Sequence, residues 1–170
     1  MDKINLKGFP VQLIDDVTEA GVEAEDVTFV TRELNELSLF DIEEKVKVLI
    51  SVPSLDTGVC QAETRKFNEE LGKRENVIGV VVSKDLPFAA KRFCETEGIK
   101  NILTVSDYRY GDFGKEFGVE MVDGALKGLL ARVVFVLDKN NQVVHTEMSD
   151  DILEEPNYEV ILAEVDKLLS

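Results

Sequence analysis

The chain has 170 residues, which is room for a substantial core and predicts one domain over 1–170. Its 34 acidic residues against 19 basic ones give a formal charge of −15, which tells against nucleic acid and anionic membrane surfaces as partners. No run of about 18 apolar residues occurs and no apolar leader follows Met1, so the expectation is a cytoplasmic protein.

At the amino end, Ile4 to Lys7 and Val11 to Leu13 alternate around Gly8-Phe9-Pro10 and predict a small hairpin. Val27 to Val30 and Leu37 to Leu39 read as short strands around an acidic turn. Val46 to Val52 is a β-branched, apolar run of buried-strand length. A helix is expected from Thr57 to about Leu71, a second buried strand over Val77 to Val82, and a helix from Leu86 to about Glu97 stopped by Gly98. Ile102 to Val105 is a further strand, and Asp112 to Phe117 a short helix ended by Gly118. Ala131 to Leu137 and Gln142 to Thr146 flank Asp138-Lys139-Asn140-Asn141 as a hairpin. Asn157 to Leu169 closes the chain as an amphipathic helix with Val160, Ile161, Val165 and Leu168 on one side. This order gives an α/β fold with a mixed central sheet flanked by helices. It suits a thioredoxin-like architecture and several other α/β folds, and fold alone does not give function.

The chemistry gathers at Cys60. The segment from Pro53 to Cys60 joins a buried strand to a helix, at the carboxyl edge of the sheet where ligand sites of α/β proteins collect. Thr57 is a good N-cap, which makes Cys60 the third residue of the helix. A thiol there sits among free backbone N–H groups near the positive end of the helix dipole, which favours the thiolate. Ionisation alone does not make a fast nucleophilic site, because the bond under attack must also be polarised by fixed donors. Arg132, in an otherwise apolar run, is a candidate donor, since a buried guanidinium needs an anion or several acceptors. On its own, a structural ion pair or a side chain reaching to water is the plainer explanation. Glu63 and Arg65, one turn past Cys60, are either an orienting carboxylate and a second donor or plain surface charges. Cys94, in Phe88-Ala89-Ala90-Lys91-Arg92-Phe93-Cys94, reads on its own as core packing of a helix. His145 stands without a second histidine, and the two cysteines are too few for a Cys-rich zinc site.

Together these residues resemble the thiol peroxidase branch of the peroxiredoxins nearly end to end. Pro53, Thr57 and Cys60 meet the family pattern Pro-x-x-x-Thr/Ser-x-x-Cys, inside Ser51 to Cys60. Leu86-Pro87-Phe88-Ala89 with Arg92-Phe93-Cys94, Asp123-Gly124 through Ala131-Arg132, and Glu155-Pro156-Asn157-Tyr158 follow in order. The resemblance implies a thioredoxin-like fold with an N-terminal β-hairpin. It implies Cys60 as the cysteine that attacks hydrogen peroxide and organic hydroperoxides, and Cys94 as the resolving cysteine that closes an intrachain disulfide. Thr57 would bond the thiolate and peroxide, Arg132 would hold the thiolate and polarise the substrate, and Pro53 would shield the pocket. Thioredoxin as reductant, a homodimer, and no metal or organic cofactor are implied as well. Gly58 stands where much of the superfamily has proline, and Glu43-Glu44-Lys45 where relatives more often have a glycine-containing turn.

A disulfide needs Cα atoms roughly 4.4–6.8 Å apart, which cysteines on separate helices rarely meet. Local unwinding of either helix is therefore expected in each cycle, with Gly58 and Gly98 as points of give. Two other readings use the same sequence: a peroxide sensor passing oxidation to a bound protein, and a thioredoxin-like binding module with inert thiols.

Overall fold

A computed structural model describes residues 2–170. The amino end forms the expected hairpin, β1 (Lys3–Leu6) with β2 (Phe9–Gln12). Its turn is tighter than the sequence suggested: Phe9 and Pro10 belong to the strand, and Lys7 and Gly8 alone make the bend, at φ of 52° and 83°. Two consecutive positive φ values give the turn the twist that a two-residue hairpin needs.

The main sheet has seven strands in the order β4-β3-β7-β6-β5-β8-β9. These are β3 (Thr28–Val30), β4 (Glu36–Ser38), β5 (Val46–Ser51), β6 (Val77–Ser83), β7 (Ile102–Ser106), β8 (Val133–Leu137) and β9 (Val143–Met148). β5, β6 and β7 run parallel, and β8 runs antiparallel to β5. Every residue of β5 and β8 is buried, as expected for central strands covered on both faces. Leu37 to Leu39 is divided by the structure: β4 ends at Ser38, and Leu39–Asp41 turns into a short 3-10 helix.

Helices α1 (Gly58–Leu71), α2 (Pro87–Glu97) and α4 (Tyr158–Leu169) cover one face, over Val48, Ile50, Val81, Val134 and Val136. The hairpin, the short α3 (Asp112–Glu116) and the loops cover the other, over Leu49, Val80, Val82 and Phe135. There Phe113 stacks on Phe117 at 4.7 Å, and Phe135 meets both rings edge-on. The apolar side of α4 differs from the expected one. Ile161, Leu162 and Val165 are buried, whereas Val160, in the first turn, stands 39% exposed. No helix of the described residues is long and apolar enough to cross a membrane.

Topology fixes where the chemistry lies. The carboxyl ends of the parallel strands β5, β6 and β7 share one edge of the sheet. β8 begins at that edge, with Val133 paired to Ser51. The strand therefore starts two residues later than the apolar run suggested, and Ala131 and Arg132 sit just ahead of it. The Ser51 hydroxyl donates to the Ala131 carbonyl at 2.7 Å and ties this approach to the end of β5.

Gly118, which ends α3, has φ of +75° and lies against the backbone of Asp16: a Cβ there would stand 2.2 Å from the Asp16 carbonyl oxygen. Gly118→Ala should lower unfolding stability by roughly 1–3 kcal/mol through backbone strain and the displaced loop. Urea unfolding with an unchanged slope checks this.

Candidate active site

α1 begins where its sequence says it should. The Thr57 side chain accepts the Cys60 N–H at 3.3 Å, and its hydroxyl donates to the Ser54 carbonyl at 3.2 Å. Thr57 is thus bonded to the backbone of Cys60 and not to its sulfur. The loop before it is braced by Asp85. That carboxylate accepts from the Ser54 hydroxyl at 2.8 Å, the Leu55 N–H at 2.7 Å and the Ser83 hydroxyl at 2.8 Å. Pro53 is buried at the base of the same loop.

Cys60 is wholly buried, on the face of α1 that also carries Thr64, Phe67 and Leu71. Its Sγ accepts a hydrogen bond from Arg132 Nη2 at 3.3 Å. The same guanidinium donates through Nη1 to Glu63 Oε1 at 2.9 Å and through Nε to the Ile152 carbonyl at 2.6 Å. Arg132 is 2% exposed and Glu63 is fully buried. Burial works against the arginine's charge, but Cys60 and Glu63 outweigh it and hold the guanidinium above its ordinary range. Glu63 behaves in the opposite sense: burial pushes its carboxyl up to about 7, with Arg132 only partly offsetting this. Glu63 Oε2 has no hydrogen-bond partner among the described residues. Beside it, the Tyr158 ring packs edge-on against Phe67 at 5.3 Å, and its hydroxyl donates to Glu155 Oε1 at 2.6 Å.

Of the two readings open for Glu63 and Arg65, each residue takes a different one. Glu63 is the orienting carboxylate, but for Arg132. Arg65 is a half-exposed helix charge paired with Glu97 at the end of α2. Cys94 lies in α2, 2% exposed, with Sγ 3.1 Å from Thr104 Oγ1. Both cysteines are free thiols in the same core layer, each within an intact helix. Gly98 caps α2 with φ of 66°. A cleft of about 180 Å³ opens where Asp56 and Gln61 of the α1 head face Arg92, Phe93, Thr96 and Glu97 of α2. His145 lies away from this cluster, paired with Glu147 at 3.0 Å.

Sequence reasoning missed Asp85 and Thr104. Thr104 was visible as the polar residue inside the apolar strand Ile102–Ser106. Asp85 gave a weaker signal, as an acidic residue just before a helix that opens with Pro87.

The fold and this cluster define a class: a thioredoxin-like sheet with a helix-head cysteine and a buried arginine at its carboxyl edge. The family model described as Redoxin matches residues 19–162. The thiol peroxidase of Aquifex aeolicus is 46% identical over 166 residues, 98% of each chain. That of Bacillus subtilis is 45% identical over 159 residues, 94% of this chain and 93% of its own. Among solved structures, a peroxiredoxin-like protein from Aquifex aeolicus superposes with a TM-score of 0.94 at 45% identity, covering 99% of this chain and 98% of its own. The thiol peroxidase from Chromobacterium violaceum, only 18% identical, shares the fold at a TM-score of 0.89, over 97% and 95% of the two chains. The chain belongs to the redoxin family and is an oxidoreductase of its peroxiredoxin group, a thiol peroxidase.

Glu63 makes stability depend on pH. Its carboxyl ionises at about 7 when folded and near the ordinary 4.5 when unfolded. Between these values the folded chain holds a proton that the unfolded chain has lost. The contribution is thus full below about 4.5 and lost as pH rises through about 7. Glu63→Gln should remove this slope, on the order of 3 kcal/mol across the window, as read from urea unfolding at several pH values.

Proposed function

We propose that Cys60 is the peroxidatic cysteine and that the enzyme reduces hydrogen peroxide and organic hydroperoxides through an intrachain disulfide with Cys94. The observation that carries this reading is the Arg132 Nη2 contact with Cys60 Sγ at 3.3 Å, at the third residue of a helix. The sulfur lone pair forms the S–O bond as the O–O bond breaks. Sulfur is oxidised to a sulfenic acid, and the departing oxygen takes a proton and leaves as water or alcohol. Arg132 supports the thiolate and polarises the peroxide. Thr57 sets the helix head by capping it at the Cys60 N–H, and Pro53 keeps water from the sulfur.

The Cys94 thiol then condenses with the sulfenic acid, releasing water and closing the disulfide, which thioredoxin reduces by thiol–disulfide exchange. Two buried cysteines inside separate helices meet only if a helix end opens. The Arg65–Glu97 pair across α1 and α2 and the left-handed Gly98 cap are the contacts that must give way. A homodimer in the cytoplasm completes the reading. Leu86 and Phe88, 52% and 68% exposed at the head of α2, supply apolar surface for a second copy.

Peroxide consumption with thioredoxin, thioredoxin reductase and NADPH tests the cycle. Cys60→Ser should abolish turnover, and Cys94→Ser should leave a single peroxide-driven oxidation. Prompt oxidation of Cys60 without turnover in the wild type would instead favour a sensor. Thr104→Val should speed disulfide closure roughly two- to tenfold, because the hydrogen bond holding Cys94 in α2 is lost. Rapid-quench thiol counting after a peroxide pulse reads this rate.

A further inference from the structure

Two buried acidic groups share one cation. Arg132 bonds Cys60 Sγ at 3.3 Å and Glu63 Oε1 at 2.9 Å, and the three residues are at most 2% exposed. A thiolate and a carboxylate together would leave this pocket with one unbalanced negative charge, which burial opposes strongly. Every other group facing Glu63 adds to that cost or is neutral. Glu155 repels it, Tyr158 is a neutral phenol held protonated by burial and by Glu155, and Lys66 lies over the Tyr158 ring at 6.0 Å, outside the pocket. Glu63 Oε2 meets no donor among the described residues, so nothing on the protein supports a full carboxylate charge at that atom.

We propose that Cys60 and Glu63 share a single negative charge on Arg132, so that a thiolate at Cys60 is matched by a protonated Glu63, which releases its proton when Cys60 is oxidised. Glu63 acts through Arg132 and is a positioning residue that also stores a proton. This rests on Cys60 being the cysteine that meets peroxide. The step balances. Thiolate, carboxylic acid and hydroperoxide become sulfenic acid, carboxylate and alcohol: the S–O bond forms, the O–O bond breaks, and the proton that Glu63 sheds equals the one that the leaving alkoxide takes up. Cys60 and Glu63 together carry one negative charge before and after, balanced by Arg132, so the pocket never carries an uncompensated anion. The upward displacement of the Glu63 carboxyl agrees with this arrangement.

Infrared difference spectra of the Cys94→Ser variant, in which oxidation stops at the Cys60 sulfenic acid, reduced against peroxide-treated at about pH 7, read the proton directly, with Cys60 oxidation followed by peptide mass spectrometry. The expected result is loss of one protonated-carboxyl stretch and gain of one carboxylate, both absent in Glu63→Gln. Oxidised Cys60 with no carboxyl change overturns the shared charge alone. Absence of any oxidation at Cys60 overturns the assignment of that cysteine, and the proposal with it. A second readout is iodoacetamide labelling of Cys60 against pH. Glu63→Gln should move its midpoint to lower pH, with labelling at least about threefold faster near pH 6. A midpoint moved upward would mean that Glu63 merely orients Arg132, which also overturns the proposal.

Discussion

A guanidinium buried at the edge of a sheet is the constraint on which the site is built. Arg132 has a sulfur, a carboxylate oxygen and a backbone carbonyl arranged around one planar fork. A lysine would not serve these three directions, because its charge is compact and its donors are not fixed in a plane. Removing an arginine from water is costly, and each of its partners offsets part of that cost while being desolvated itself. The arrangement holds only because the guanidinium and its acceptors come from three separate parts of the fold. α1 brings Cys60 and Glu63, the approach to β8 brings Arg132, and the loop before α4 brings the Ile152 carbonyl. The site and the tertiary structure are therefore one problem, since the packing of α1 and α4 on the sheet sets the geometry at the sulfur.

The rest of the edge follows from strand direction. β5 and β6 end side by side, so the loops after them touch, and Asp85 from the second loop takes the Ser54 hydroxyl and the Leu55 N–H of the first. A carboxylate with three short hydrogen bonds fixes a loop far better than the loop's own residues could. Thr57 then has a stable platform from which to cap α1, and the thiol is held at the third helical residue without strain in its own backbone.

Local features were legible in the sequence and distant ones were not. The N-cap at Thr57, the glycine stop at Gly98 and the buried runs of β5 and β6 depend on neighbours within a few residues, and they stand where the sequence put them. The partnership of Arg132 with Glu63 spans 69 positions of the chain, and no local pattern announces it. A signal was nonetheless present in part. Cys60, Thr64, Phe67 and Leu71 form the buried stripe of α1 at helical spacing, and Glu63 falls on that stripe whereas Arg65 falls off it. An acid on an apolar stripe requires a partner, and Arg132, a base in an apolar run, requires one too. Val160 shows the converse limit: an apolar residue in the first turn of α4 joined the expected face by spacing, yet the start of the helix leaves it facing outward.

Burial of both thiols carries a tension that the fold resolves by uneven stability. Cys60 and Cys94 lie in one apolar layer, which protects them from adventitious chemistry and secures the core. The same burial shuts each of them off from solvent while α1 and α2 are intact. What binds the two helices near the cysteines is weak by comparison with the sheet beneath. An ion pair with a half-exposed arginine contributes little, and a left-handed glycine cap unwinds without side-chain clash. Phe67 and Leu71, by contrast, anchor the far end of α1 in the core and are fully or almost fully buried. Opening at the head of α1 or the tail of α2 therefore leaves the sheet and the Phe67 contact in place. The strong contacts keep the arginine site assembled, and the weak ones define where the chain opens most easily.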